Sequence, residues 1–409
     1  MEQHWDLIVA GGGFAGTAAA IAAARGGAKV LLMEKGNALG GAAYHALVHP
    51  FMPNRIIRDG VRTELSQGIF TEIRNGAQMT QGENMKLQMN RLVLASGAEL
   101  LFHAEIIDVH QTGRRVDGVT VFCQGKKYEF EADYFIDATG DANLIAMTDF
   151  PFRLGREPQD QLCQPMTLCF RVGGVDSDEF FREKPLLQAI YKEGQSSGRI
   201  KNPRENVLVC RTECNSVVHF NTTRIIKRDP TDIFDLTRAE IDAREQVHEL
   251  FELFKEKLPS FRNASLLVTA DEIGIRESRM IDGEYLLTGE EAMTCPHFPD
   301  GIACANYDID IHNPEGTGTY IYSFKDDEFY TIPYRCLIPK GAENLLAAGR
   351  CISVDHAAQA SMRIMPIVCT IGEAAGTAMA LAIRDKTDVH DVDAAELRAV
   401  LAANGAFLG

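Results

Sequence analysis

Positive charge is in short supply in this chain. Its 409 residues hold 41 Lys and Arg against 57 Asp and Glu, a formal net charge of −16 at pH 7. Such a surface repels phosphate backbones and anionic lipid headgroups, which argues against nucleic-acid and membrane partners while leaving room for a local basic pocket. Cysteine pairs are missing as well. There are ten cysteines, but none stands at CxxC spacing and no zinc-ligand pattern occurs, so neither an adjacent redox dithiol nor a metal is expected. The opening residues MEQHWD lack the basic stretch before an apolar run that a signal peptide needs. With cysteines read as reduced thiols, a cytoplasmic location is the expectation. Internal repeats and low-complexity segments are absent too, which removes repeat architectures. Residues 7–24 carry no charge over nearly the length of a membrane span. Their four glycines and many alanines make them too weakly hydrophobic for that role.

The composition that remains, 45% hydrophobic and 24% charged, is that of an ordinary globular enzyme, and the length suits two or three domains. Residues 6–10 (DLIVA) read as a buried strand, 11–16 as a glycine turn, 17–25 as an alanine-rich helix ending at Gly26 and Gly27, and 29–33 (KVLLM) as a second strand ending at Glu34. Gly11, Gly13 and Gly16 stand at GxGxxG spacing. Gly11 permits the tight turn, Gly13 lets the backbone approach a pyrophosphate, and Gly16 lets helix and strand pack closely. Phe14 and Ala15 complete the loop, and the helix N-terminus offers N–H groups to phosphates. Glu34, followed by Lys35, is placed to accept the hydroxyls of an adenosine ribose. The fingerprint alone is weak; strand, helix, second strand and acidic end together predict a dinucleotide site.

Further along, 83–96 reads as a helix, 98–109 as a strand, 115–122 with 127–130 as a hairpin, and 134–138 as another buried strand. A helix is predicted over 237–257, a strand over 345–348, a small-residue helix over 366–383 and a short tail helix over 393–404. The fold class is α/β: a Rossmann-like domain from 1–150 and 331–385, an inserted α+β substrate domain at 151–330, and a helical tail at 386–409.

Three segments favour FAD over NAD: Gly40, Gly41 and Ala42 soon after Glu34; Ala138, Thr139 and Gly140 at a strand end; and LLAAGR at 345–350, a strand returning to the cofactor. No second GxGxxG is present for NADPH. With IGIRESRMIDGEYLLT at 273–288, YTIPYRCLIP at 330–339, NLLAAGRCIS at 344–353 and HAAQASMRIMP at 356–366, the chain resembles the FAD-dependent oxidoreductases of the glutathione-reductase-like superfamily, whose wider group includes the fumarate reductase and succinate dehydrogenase flavoproteins. The resemblance covers nearly the whole chain. It implies that Gly349 and Arg350 touch the ribityl chain and isoalloxazine. Pro366 suits a first helical turn. The helix there, flanked by Met365 and Ile367, would then aim its positive end at the flavin, although its small residues also suit plain packing.

Four histidines are candidate proton carriers: His356 first, His45 second, then His49 and His312. Each could equally be a satisfied structural histidine. In IRESR, Arg276 and Arg279 are read as sharing one strand face, where they could clamp a substrate carboxylate; pairing with Glu277 or Asp282 is the structural alternative. Tyr334 and Arg335 are expected to line the cleft. The expected function is oxidation of a small molecule by hydride transfer at flavin N5. The alternatives are reduction of an activated C=C bond, a flavin monooxygenase, or a flavin-bearing binding protein. Substrate, electron acceptor, covalent attachment of the cofactor and homo-oligomeric assembly are left open.

Overall fold

The computed structural model describes residues 4–79 and 82–409; residues 1–3, half of the MEQHWD stretch, lie outside them. Strand β1 (His4–Ala10) turns into helix α1 (Phe14–Arg25), and strand β2 (Val30–Met33) follows. The two strands pair in parallel from Leu7 opposite Val30 to Ala10 opposite Met33. β2 is buried throughout, as its unbroken apolar run requires of a sheet covered on both faces. The helix begins at Phe14, not Thr17, so Gly16 lies in its first turn. A Cβ at Gly16 would stand 1.8 Å from the Gly11 carbonyl oxygen, which is why no larger residue fits.

Helix α2 (Gly82–Ser96) leads to β3 (Glu99–Leu101), β4 (Glu105–Thr112), β5 (Arg115–Cys123) and β6 (Lys126–Asp137). Two expectations are corrected here. The stretch 98–109 is two strands, because the chain turns at His103, whose φ is +55°. β3 pairs in parallel with β2, while β4 pairs antiparallel with β5. Conversely, 127–130 and 134–138 belong to one strand, β6. Its first half is a largely exposed hairpin arm and its second half is core.

The insert contributes β7 (Phe170–Gly173), β8 (Val209–Arg211), β9 (Val217–Phe220), helix α3 (Ile233–Lys257) and β10 (Ser265–Thr269). They form an antiparallel sheet in the order β8-β9-β7-β10. Asp232 caps α3 by accepting from the N–H groups of Phe234 and Asp235, which starts the helix four residues before the predicted point. Ala239, Ala243, Val247, Leu250 and Phe254 form its buried stripe. Phe170 and Phe220 stack at 4.6 Å between centroids in the same core. That second core is built from residues 166–273. Met280, Ile281, Leu287 and Ile302 pack with the first core instead.

The chain then returns to the first sheet. Strand β11 (Leu345–Ala347) pairs in parallel with the end of β6, Leu345 opposite Phe135 to Ala347 opposite Asp137. The parallel part of the sheet therefore runs β3-β2-β1-β6-β11, with all carboxyl ends at one edge. Helices α4 (His356–Met362), α5 (Met365–Asp385) and α6 (Ala394–Ala403) complete the fold. Helix α6 buries Leu397 and Leu401 in the first core, so the tail is part of that core. Among the described residues α5 is the one helix long and apolar enough to cross a membrane, and 89% of that apolar window is buried within the protein.

Candidate cofactor and active site

A cavity of about 600 Å³ opens at the carboxyl edge of the parallel strands, where a doubly wound sheet binds its ligands and in the usual size range for small-molecule and cofactor sites. Gly11, Gly13, Phe14, Ala15, Glu34, Lys35, Gly40, Gly41, Ala42, Ala138, Thr139, Gly140, Gly349, Arg350 and Met365 line it. Gly16 and Ile367 do not. Gly16 faces Gly11, and Ile367 is sealed in the core.

The chemistry of this wall suits FAD. No side chain caps α1, so its first-turn N–H groups remain for a ligand, and a Cβ at Gly13 would meet nothing within 4 Å. An open space over uncapped N–H groups is what a pyrophosphate requires. Glu34 is 5% exposed. Its carboxylate accepts from Gly12 N at 2.7 Å and Gly36 N at 2.6 Å, which fixes it at the end of β2. A carboxylate has about four acceptor positions, so two are left for ribose hydroxyls.

The opposite wall is held by charge. Arg350 pairs with Asp141, which also accepts from the Ser278 hydroxyl, and donates to the Ile275 carbonyl at 2.9 Å. Its guanidinium lies over Gly140, where a Cβ would come within 3.3 Å. Beneath, Asp137 is fully buried and accepts from Thr139 N at 3.0 Å, Thr139 Oγ1 at 2.7 Å and Ile145 N at 2.9 Å. Burial pushes its carboxyl up from the ordinary range against the pull of these donors, and the donors shape the 139–145 loop.

Several wall residues escaped sequence reasoning, among them Ala104, Ile106, Met147 and Arg363. Ala104 donates to the Glu34 carbonyl at 3.0 Å; reading 98–109 as one strand hid the turn that brings it there. Arg363 follows the last residue of α4; it lies in the 356–366 segment that carries the resemblance, but nothing in that segment's spacing gives it a role.

The candidate catalytic residues separate. His45 lines the cavity at its Glu34 end: a Cβ on Gly36 would stand 2.6 Å from His45 Nε2, a buried atom with no hydrogen-bond partner. His356 opens α4, behind its cap Asp355. Its Nδ1 lies 2.7 Å and 2.8 Å from the two carboxylate oxygens of the fully buried Glu277, and Glu277 also accepts from Gln164 N at 2.8 Å. His356 Nε2 is buried with no hydrogen-bond partner among the described residues. His356 is outside the cavity wall, whereas Arg363 at the other end of its helix is in it.

Arg276 and Arg279 do not share a strand face. They are three positions apart, and the strand begins only at Arg279. Arg279 reaches Asn143 Oδ1 at 3.1 Å in the cavity wall. Arg276 turns away to the Pro165 carbonyl at 2.6 Å and Thr167 Oγ1 at 2.5 Å. Tyr334 and Arg335 also leave the cleft. Tyr334 is buried and donates to the Val389 carbonyl at 2.8 Å, and Arg335 pairs with Asp300 at 2.9 Å. His49 packs against His219 with the ring centroids 5.3 Å apart and the planes tilted by 36°, and burial lowers it to about 4. His312 contacts Thr319 Oγ1 at 3.2 Å. Burial, with Arg276, Arg363, Arg204 and Arg224 around it, holds its imidazole far below the usual range.

The family model described as FAD dependent oxidoreductase matches residues 6–401. A thiamine thiazole synthase from Aeropyrum pernix is 32% identical over 153 residues, 34% of this chain and 56% of that protein, so the chain spans little more than half the length of that relative. Among solved structures, a geranylgeranyl bacteriochlorophyll reductase-like protein from Thermoplasma acidophilum is 14% identical over 98% of this chain and 84% of its own, with a TM-score of 0.47. The p-nitrophenol 4-monooxygenase of Pseudomonas putida DLL-E4 is 11% identical over 96% and 83%, with a TM-score of 0.48.

Proposed function

The chain belongs to the FAD dependent oxidoreductase family, and from that premise we propose that it oxidises a small molecule beside the cavity, with His356 as the acid or base. The observation that carries this reading is the Glu277–His356 pair. A buried carboxylate on Nδ1 fixes the tautomer and ring orientation and leaves Nε2, which has no hydrogen-bond partner among the described residues, to take or give a proton. FAD, when bound, supplies hydride transfer at N5. The protein's part is to hold and orient. The α1 N-terminus and Gly13 would take the pyrophosphate, Glu34 the ribose, and the Arg350–Asp141 pair would support the loop at Gly140. Helix α5 has no side-chain cap and Met365 in the cavity wall, which favours negative charge at that end of the cofactor. We extend the reading to a cytoplasmic enzyme with neither nucleic-acid nor membrane partner.

The test is anaerobic: the yellow holoenzyme is screened against metabolites for bleaching, and His356→Ala should lose turnover while keeping its FAD. Turnover unchanged in His356→Ala would remove the assigned role.

One observation favours the reverse direction, reduction of an activated C=C bond with an arginine as proton donor: Arg279 stands in the cavity wall. Anaerobic reoxidation of reduced enzyme by enoates, with no metabolite bleaching the oxidised form, would select that direction.

A further inference from the structure

We propose that Arg204, Arg276 and Arg363 form the anion-binding subsite for the substrate, which is therefore a small acid carrying a carboxylate or phosphate group. The proposal rests on the oxidoreductase reading and names the substrate class for that site.

The three guanidinium groups come from distant parts of the chain and share one property. None has a carboxylate partner among the described residues. Arg204 is 5% exposed; no hydrogen bond or ion pair reaches its guanidinium, and its Nε is buried without a partner. Arg276 has only the neutral acceptors at Pro165 and Thr167. Arg363 has only long bonds to backbone carbonyls, Ala360 at 3.4 Å and Asp310 at 3.3 Å. Burying a cation without an opposite charge is costly, and natural structures pair or hydrogen-bond such groups. Three unpaired guanidinium groups together are the counterpart of an anion, and the planar fork of each suits a carboxylate or phosphate.

The groups act on one another and on one centre. Arg363 and Arg204 both depress Arg276, and all three, with Arg224, depress His312. Arg224 is paired with Glu205 at 2.9 Å. Of the other carboxylates facing the cluster, Glu277 is taken up by His356, and Asp310 lies 3.6 Å from His312. Four guanidinium groups thus face three carboxylates, Glu205, Asp310 and Glu277, an excess of one positive charge inside a protein whose net charge is −16.

The position of the cluster links it to the chemistry. Arg363 is part of the cavity wall. Gln164 ties the parts together: its side-chain oxygen accepts from His312 N at 3.3 Å, its amide donates to Gln359 at 3.1 Å, and its backbone N–H donates to Glu277. Gln359 in turn donates to the Arg276 carbonyl at 2.8 Å. An anion held by the arginines is therefore anchored on the framework that orients His356.

The test uses FAD-loaded enzyme and needs no turnover. Malonate and inorganic phosphate are titrated at constant ionic strength against a chloride control, with binding followed by calorimetry and by the visible flavin spectrum. Saturable binding is expected, weakened at least tenfold in Arg204→Met and less in Arg204→Lys. Preference for malonate identifies a carboxylate substrate, and preference for phosphate a phosphorylated one. If Arg204→Met does not fold, Arg276→Lys gives the same comparison, with FAD content as the control for integrity. Binding no tighter than chloride, or binding indifferent to both arginines, overturns the proposal. An enzyme bleached by a neutral metabolite that ignores both anions loses the subsite alone. One that binds malonate through Arg204 yet bleaches with nothing keeps the subsite and loses the oxidation reading.

Discussion

Gly372 on α5 lies against the backbone of Ala15 on α1, so closely that a Cβ on Gly372 would stand 2.0 Å from the Ala15 carbonyl oxygen. Gly376 repeats the contact one turn on, 2.1 Å from the carbonyl oxygen of Ala19. The helix of the fingerprint and the helix that returns to the cofactor are thus packed backbone to backbone, with no side chain able to give way. Gly372→Ala should cost about 1–3 kcal/mol or more, as overpacking does. Because the displaced element is the phosphate-facing end of α1, FAD content should fall with the melting temperature. A variant with unchanged Tm and full FAD would show that α1 and α5 are not in contact as described.

Glu34 gives a cofactor prediction separable from stability. Glu34→Gln keeps the side chain's shape but replaces one acceptor oxygen with a donor facing backbone N–H groups. Hydrogen bonds to a charged group are worth about 1.5–3 kcal/mol, so FAD affinity should drop about ten- to a hundredfold. Equilibrium dialysis or flavin fluorescence reads this directly, and retained affinity would remove Glu34 from the ribose site.

What was legible in the sequence follows from how local each role is. Gly11, Gly13 and Glu34 lie within one βαβ unit, and each acts through its own backbone or strand end, so spacing reveals them. β6 was read as two strands because its pattern changes midway, from the exposed arm around Tyr128 to the fully buried run ending at Asp137. The anion cluster was legible only at Arg276, a candidate clamp for a carboxylate in IRESR. Arg204 and Arg363 come from two other segments, and only packing shows that no carboxylate among the described residues pairs with the three. Arg276 and Arg279, adjacent in one motif, point to different places because the strand starts between them.

Glu373 predicts a loss of stability as pH rises. It is 3% exposed on α5 and accepts from Ile69 N at 3.0 Å. Burial, with Glu72 adding to it and Ile69 N and Arg25 opposing, raises it from 4.5 to about 7. Between those values the folded protein keeps a proton that the unfolded chain has released, so stability is full below pH 4.5 and declines as pH rises to 7. The loss approaches about 3 kcal/mol at pH 8, taking 1.4 kcal/mol per unit. Glu373→Gln keeps an oxygen for Ile69 N and should flatten Tm between pH 5 and 8. An unchanged slope would mean that Glu373 is charged throughout.

The His49–His219 pair predicts the opposite slope in acid. His219 is fully buried, and its ring nitrogens have no hydrogen-bond partner among the described residues. Burial, then His49 and Arg171, lower it to about 3. Below pH 6.5 the unfolded chain binds a proton that the folded imidazole refuses, so stability falls as pH drops toward 3 and is flat above 6.5. At pH 5 the contribution from His219 is about 2 kcal/mol. His219→Leu removes the titration, and the difference in Tm between pH 7 and pH 5 should shrink. If the difference persists, the acid loss originates elsewhere.

His356 and Glu277 give the prediction closest to the chemistry. If Glu277 serves only to fill the core, Glu277→Gln should lower stability and leave turnover per bound FAD intact. If it orients the imidazole, the amide can offer Nδ1 a donor instead of an acceptor, and the ring then presents the wrong tautomer at Nε2. Turnover should fall about a hundredfold or more, within the range for loss of general acid or base catalysis, with FAD content retained and KM little changed. His356→Ala and the double variant should then match Glu277→Gln, because residues acting as one unit are not additive. Additive losses would mean that the two side chains act separately, and that the proton passes through another group.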